Sequence, residues 1–340
     1  MDDQGKMSDK RLMKVAVVGG GSWATALVKV LSDNQVPLAW WMRDKEAMSY
    51  IQQHQRNPRY LSDANLQLKR GSLQEDLRKA IVTASVVILA VPAAFLRDAL
   101  SPLSEHDLDG KIVLSAVKGM VPGENLLVGQ FLQKYFCVSE QRFMVITGPC
   151  HAEEVAAEKL SFLTLAASYP ELARPLVSMF KNRYMNMQVS DDPSGSEYAS
   201  VMKNIYAIAV GIAHGLGYGD NFLAVLVSNA IIELKSFLRA VYPKRRDIKG
   251  SAYLGDLLVT AYSQFSRNRS FGTMLGKGYS VRSAQLEMNM VAEGYYSARA
   301  VHELNKLHKC SIPIAATVYS ILYEGIPARV AMHKLQNQLH

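Results

Sequence analysis

Three short stretches in the second half of this 340-residue chain carry side chains suited to one kind of reaction. Lys203 and Asn204 lie in EYASVMKNIYAIAVGI, whose surroundings are largely apolar. A lysine buried there needs a partner, because a lone charge is costly to take out of water. The alternative is a lysine that snorkels to water from a helix edge. YLGDLLVT places Asp256 and Thr260 at i and i+4, on one helix face. SRNRSFG sets Ser266, Arg267 and Asn268 ahead of a glycine. A hydroxyl, a guanidinium and an amide on a tight turn make a phosphate clamp, although such a stretch alone also reads as a solvated loop. Together these residues suit hydride transfer to a phosphorylated ketone. An alkoxide builds on the carbonyl oxygen, a nearby ammonium stabilises it and donates a proton, and a carboxylate holds the ammonium in place.

The hydride donor needs its own cradle, and residues 14–30, KVAVVGGGSWATALVKV, have the pattern for one. The apolar run Val15 to Val18 ends in three glycines, and an apolar stripe then restarts at helical spacing. That is strand, tight turn, helix. Gly19, Gly21 and Ala24 fit G-x-G-x-x-A: one residue for the turn, one for close approach of a pyrophosphate, one for helix–strand packing. The helix then points its free N–H groups at the phosphates. A glycine turn that serves packing alone has the same local spelling. About 20 residues past the turn, where the ribose is read, stands Arg43, followed by Asp44. A guanidinium suits a 2′-phosphate and so favours NADPH. An Arg43 paired with Asp44 on the surface would leave NADH open.

The elements around these motifs alternate. Strands are expected at Pro37 to Met42, Ala84 to Val91, Lys111 to Ala116, Phe143 to Thr147 and Leu160 to Ala167, with a further one at Tyr184 to Val189. Residues 44–55 read as a helix and 56–65 as a turn-rich segment. Short apolar runs alternating with helical stretches imply a parallel, doubly wound sheet. The character changes near Asp191. Glu197 to Tyr242 is a long amphipathic pattern broken only by GLGYG at 215–219, and helical periodicity continues from 254 to the end. No low-complexity linker separates the two halves, so a broad interface and a ligand cleft between them are expected.

Composition excludes more than it selects. Apolar residues make up 49% and charged residues 20% of the chain, as in ordinary globular proteins. No uninterrupted apolar run approaches the roughly 20 residues that span a bilayer, and the polar first dozen residues show no leader-type apolar segment. Membrane insertion is therefore not expected. Cys137, Cys150 and Cys310 are isolated, which suits a reducing cytoplasm. The net charge of +8 raises nucleic-acid binding, but the basic residues are scattered. Only KRRDIK at 244–249 is dense, and it reads as a solvated loop. A mild positive field also draws in phosphorylated small molecules. His54, His106, His151, His214, His302 and His308 show no metal-type pairing; they read as surface or satisfied helix residues, and no metal is expected.

In order and with few gaps from about Lys14 to about Leu335, the chain resembles the bacterial-type NAD(P)-dependent glycerol-3-phosphate dehydrogenases. The matching pieces are GGGSWATAL, RNPRYL, VILAVPAAFL, SAVKGM, TGPCHAEEVA, EYASVMKNIYAIAVGI, GDLLVT, SRNRSFG, GKG and VAEGY. The resemblance implies an α/β Rossmann-type N-terminal domain, residues 12–192, followed by an all-α C-terminal domain, residues 193–338. It implies reversible reduction of dihydroxyacetone phosphate to sn-glycerol 3-phosphate for phospholipid synthesis, by a cytoplasmic homodimer. Lys203 would then be the general acid in reduction and the base in reverse. Asp256 would orient it and bind substrate, and Lys118 would contact substrate and cofactor. Ser266, Arg267 and Asn268 would hold the phosphate and glycerol oxygens, with Asn204 and Thr260 beside them. Ser22, Trp23, Arg43, Tyr60 and Phe95 would line the cofactor site with Gly19 and Gly21. Gly148, Cys150 and Ala152 sit where the family's S-G-P-x-x-A motif meets both ligands. Val291 and Glu293 would close over the nicotinamide end, and Arg267 would also reach the cofactor.

Three departures stand out. Ala24 replaces the fingerprint's usual third glycine, Cys150 replaces a serine or threonine, and SAYL precedes GDLLVT where a glycine-rich stretch is usual. A thiol is a weak donor, which puts any polar contact of Cys150 in doubt. Two rivals remain: another reductase of this architecture acting on 2-keto or 3-hydroxy acids, and a non-catalytic NADPH-binding protein.

Overall fold

The computed structural model describes residues 13–288 and 292–340. Eight strands lie in the first half: β1 (Val15–Val18), β2 (Leu38–Trp41), β3 (Leu73–Gln74), β4 (Val86–Leu89), β5 (Ile112–Ser115), β6 (Phe143–Thr147), β7 (Ser161–Ala167) and β8 (Met185–Ser190). They form one sheet in the order β3-β2-β1-β4-β5-β6-β7-β8. Between them run α1 (Ser22–Asp33), α2 (Lys45–His54), α3 (Leu77–Val82), α4 (Leu96–Leu100), α5 (Val128–Phe136), α6 (Ala152–Ala156) and α7 (Pro170–Val177).

Why β1 and β4 read as unbroken apolar runs is plain from burial: every residue of both is buried. Successive side chains leave a strand on opposite faces. Val15 and Val17 accordingly join one core while Ala16 and Val18 join the other. Helices cover both faces, which a parallel sheet requires.

The sheet is parallel as expected from β3 through to β6, with one exception beyond it. β7 runs antiparallel to β6, with Val145 opposite Ala166, and β8 then runs parallel to β7. A parallel return needs a crossover able to travel back along the sheet. The segment between β6 and β7 contains only the five-residue α6, so the chain turns back instead.

The second half is helical: α8 (Pro193–Gly215), α9 (Asp220–Val241), α10 (Asp256–Tyr262), α11 (Arg267–Gly276), α12 (Val281–Glu287), α13 (Glu293–His308), α14 (Pro313–Tyr323) and α15 (Ala328–Gln336). A single π-helical turn, Ser251–Gly255, leads into α10. The central helix α8 is buried along almost its whole length. It packs most closely on α11, and glycines explain how. A Cβ on Gly211 or Gly215 would overlap carbonyls of α11, and one on Gly272 or Gly276 would overlap carbonyls of α8. The two helices therefore touch backbone to backbone.

α9 is the one helix among the described residues that is long and apolar enough to cross a membrane by length and composition. Half of its most apolar window is buried inside the protein, and its Glu233 accepts hydrogen bonds from the N–H groups of Ile314 and Ala315 at 2.7 and 3.1 Å.

The dense basic stretch at 244–249 is not wholly a solvated loop. The side chain of Arg246 is nearly buried, with its Nε 2.6 Å from Asp192 Oδ2. Tyr253 donates to the same oxygen at 2.5 Å, and Asp192 caps α8 by accepting from Gly195 N. The stretch thus ties the start of α8 to the turn that precedes α10.

Candidate active site

Lys203 projects from the middle of α8 into a wall made by α10. It is 4% exposed, so it does not snorkel to water. Its Nζ forms an ion pair with Asp256 Oδ1 and lies 3.2 Å from Thr260 Oγ1. The i, i+4 spacing of Asp256 and Thr260 thus delivers both to one cation. Thr260 donates its proton to the Asp256 carbonyl at 2.7 Å, which leaves its oxygen lone pair for the lysine. Lys118 Nζ stands 3.9 Å from the same Asp256 oxygen and 5.6 Å above the Trp23 ring. Two ammonium groups therefore share one buried carboxylate. Burial pushes the pKa of Lys203 below the usual lysine value, the charge of Lys118 adds to this, and Asp256 opposes it.

In front of Lys203 opens a cavity of about 150 Å³. Lys118, Asn204, Thr260, Ser266, Arg267, Asn268 and Glu293 line it together with Lys203. Ser266 is the N-cap of α11 and accepts from Arg269 N, so Arg267 and Asn268 fall in the first turn. That is the end of a helix where backbone N–H groups favour an anion. The close contact of α8 with α11 holds this anion-favouring end beside Lys203. Asn268 Oδ1 accepts from Gly294 N at 2.9 Å, and Asn204 Nδ2 donates to the Lys118 carbonyl at 3.0 Å. Glu293 Oε1 accepts from Ala93 N at 3.0 Å, which joins the start of α13 to the sheet half. Burial raises the Glu293 carboxyl to about 7, against the Ala93 N–H and then the charge of Arg267.

A second cavity, of about 1060 Å³, runs over the carboxyl ends of β1 and β2. Gly19, Gly21, Ser22, Arg43, Tyr60, Phe95 and Arg267 line it. Gly21, Ser22 and Arg267 belong to both cavities, so the two adjoin at the glycine turn. Gly19 has φ +132°, and a Cβ there would overlap the Ala90 carbonyl. A Cβ on Gly21 would meet nothing within 4 Å, so the missing side chain leaves room for a ligand, not for protein. The turn is held from behind. Trp40 Nε1 donates to Gly19 O at 2.6 Å, and Asn57 Nδ2 donates to Gly20 O at 3.2 Å and to Thr25 Oγ1 at 2.8 Å. These residues fit a dinucleotide: an open glycine turn at a helix N-terminus, a long cavity, and a cation at its far rim.

Most of the residues singled out in the sequence meet at these two cavities. Trp23, Cys150 and Ala152 line the smaller one. Asp256 and Gly148 line neither; Asp256 lies behind Lys203, and Gly148 forms the turn after β6. Val291 falls outside the described residues. Arg43 is exposed at the rim of the larger cavity, and the surface pairing with Asp44 does not occur, because Asp44 pairs with Arg59 at 2.6 Å and caps α2. Cys150 donates to the Phe162 carbonyl at 3.2 Å, and burial raises its thiol to about 12, so it stays neutral.

His151, expected as a surface or satisfied helix residue, also lines the smaller cavity with Glu153 and Phe265. Its place right after Cys150 in TGPCHAEEVA was the one signal available. Asn57 stands in RNPRYL, one of the pieces that carry the resemblance, but like Trp40 it acts on a turn far away in sequence, which spacing does not show.

Two family models match the chain: "NAD-dependent glycerol-3-phosphate dehydrogenase N-terminus" over residues 14–173 and "NAD-dependent glycerol-3-phosphate dehydrogenase C-terminus" over residues 192–333. A glycerol-3-phosphate dehydrogenase [NAD(P)+] of Macrococcus caseolyticus is 32% identical, covering 96% of this chain and 98% of that protein. One from Bacillus mycoides is 33% identical, covering 96% of each. The crystal structure of glycerol-3-phosphate dehydrogenase from Coxiella burnetii superposes with a TM-score of 0.87 at 27% identity, covering 95% of this chain and 98% of that one. With both halves matched in order over nearly the full length, the chain belongs to the NAD-dependent glycerol-3-phosphate dehydrogenase family.

Proposed function

We propose that this chain is an NAD(P)-dependent oxidoreductase that interconverts dihydroxyacetone phosphate and sn-glycerol 3-phosphate. The observation that carries this reading is the buried Lys203–Asp256 pair at the back of a small cavity whose wall includes Ser266, Arg267 and Asn268, next to the glycine turn. A nicotinamide cofactor supplies the hydride when bound along the larger cavity. Lys203 then donates a proton to the oxygen of the ketone as negative charge builds on it, and takes one back in the reverse direction. Asp256 holds Lys203 in place and Lys118 adds positive charge at the same oxygen. Ser266, Arg267 and Asn268 hold the phosphate at the N-terminus of α11. Lys203 and Asp256 are buried, and charges interact more strongly away from water than in it.

The division at residues 12–192 and 193–338, the cytoplasmic location, the homodimer and a role in phospholipid synthesis belong to the same proposal. So does a preference for NADPH. Arg43 supports it: the guanidinium stands at the rim of the larger cavity with no ion pair among the described residues. Purified protein mixed with NADPH or NADH and dihydroxyacetone phosphate should consume absorbance at the nicotinamide band. Turnover of 2-keto acids instead would select the rival reductase, and cofactor binding without any turnover would select the non-catalytic one.

A further inference from the structure

His151 is placed to act and is used by none of the steps above. It is the N-cap residue of α6, yet its side chain makes no cap hydrogen bond. It lies on the wall of the 150 Å³ cavity instead. Its Nε2 is 3.4 Å from the Val259 carbonyl, and its ring packs 6.0 Å from the ring of Phe265. A carbonyl only accepts, so Nε2 carries the ring proton. In a neutral imidazole the other nitrogen is then a bare lone pair. Burial lowers the pKa of the ring and so favours its neutral form; the charges of Lys118 and Lys203 add to this, while the hydrogen bond to the Val259 carbonyl and the charge of Glu153 oppose it. Nδ1 has no hydrogen-bond partner among the described residues and is not a buried orphan, so it is accessible, on a residue that lines the cavity.

The chemistry of the ligand decides what this lone pair would take. If the substrate is the three-carbon ketone phosphate proposed above, its phosphate and carbonyl are acceptors and its hydroxyl is its one donor. Lysines and Arg267 serve the acceptors. We propose that His151 accepts the hydrogen bond of the substrate's free hydroxyl through Nδ1, and so sets the preference for a hydroxylated ketone over its deoxy analogue. This rests on the functional reading of the same cavity.

The test compares dihydroxyacetone phosphate with hydroxyacetone phosphate, which lacks only that hydroxyl. Wild type should favour the hydroxylated substrate in kcat/KM. His151→Leu should lower that ratio about ten-fold, the size of one lost hydrogen bond with its buried partner left unpaired. His151→Asn, whose amide oxygen sits near the position of Nδ1, should keep the ratio within about three-fold. Should the leucine variant not fold, His151→Gln serves, because its amide sits near Nε2 and should lose the ratio as well. An unchanged ratio in His151→Leu or His151→Gln overturns the proposal and hands the hydroxyl to Asn204 or Glu153. An equal fall for both substrates overturns it too, as a packing effect. No turnover of dihydroxyacetone phosphate by wild type would sink the functional reading itself, a different result from an active enzyme whose ratio ignores residue 151.

Discussion

Replacing Asp256 with asparagine keeps the shape of the side chain and removes its charge, and the consequence for Lys203 can be worked through. Lys203 acts as an acid only while protonated, so ketone reduction should fall as pH rises through its pKa. Burial and Lys118 lower that pKa, and Asp256 is the charge that opposes them. The more distant of the two ammonium groups lies 3.9 Å from the carboxylate. At about 4 Å and an effective dielectric near 20, two unit charges interact by about 4 kcal/mol. One pKa unit corresponds to about 1.4 kcal/mol, and Lys203 lies closer to the carboxylate than this, so deleting the carboxylate should lower the Lys203 pKa by no less than roughly 3 units. The basic limb of the pH–kcat/KM profile for dihydroxyacetone phosphate reduction should therefore move to lower pH by that amount in Asp256→Asn. At neutral pH kcat should fall by about 100-fold or more, within the range that a positioned acid contributes. Thermal melts of both proteins check that the variant is folded. A basic limb that stays within one unit of wild type would refute the claim that Asp256 sustains the charge on Lys203.

Three further outcomes follow from the packing and charge. Gly272→Ala puts a methyl group into the Ile208 carbonyl, so α11 must move away from α8; a loss of about 1–3 kcal/mol is expected, with KM for the phosphate substrate rising more than KM for the cofactor. A wild-type melting temperature and KM would show that the helix contact is not what sets the clamp. Arg43→Ala should cut kcat/KM for NADPH by roughly 10–100-fold, the range of a lost charge-assisted contact, and leave NADH nearly unchanged; equal effects on the two cofactors would remove Arg43 from the ribose site. Glu197 is buried on α8 and accepts from Gly129 N, and burial raises its carboxyl to about 8 from an ordinary value of 4.5. Between those two pH values the folded protein keeps a proton that the unfolded chain has released, so this group's stabilising contribution is complete below pH 4.5 and is lost as pH rises towards 8. Glu197→Gln removes the titration, and its melting temperature should match wild type at pH 4.5 and exceed it by several degrees at pH 8; parallel melting curves across that window would contradict this.

How much of this could be read in the sequence depended on range. The β1 turn was legible because strand, glycines and helix are spelled by neighbours. Asp256 and Thr260 were legible as a pair because helical spacing alone puts them on one face, and both do reach Lys203. The direction of β7 was not, since an apolar run carries no arrow and only the short α6 segment argued for a return. The basic stretch at 244–249 misled because charge in sequence is silent about partners. Arg246 meets Asp192, and nothing near either residue announces the other. His151 was legible only in part: it does start α6 and has a hydrogen-bond partner, but its place on the cavity is fixed by Val259 and Phe265 from another part of the chain.

The placement of Lys203 on the most buried helix explains why the two halves must share the site. A buried ammonium is tolerated only with a carboxylate and further hydrogen bonds, and these come from α10, which the Asp192–Arg246–Tyr253 cluster helps to place. The same burial that makes the lysine expensive also lowers its pKa, which makes it a better proton donor near neutrality. Lys118 comes from the loop after β5 and Glu293 reaches back to Ala93, so the charge balance around Lys203 depends on the sheet half as much as on the helical one. Separating the halves would leave Lys203 with Asp256 but without the second cation, and its pKa would rise. The two halves therefore set the acidity of the lysine jointly, at a cavity that residues of both of them line.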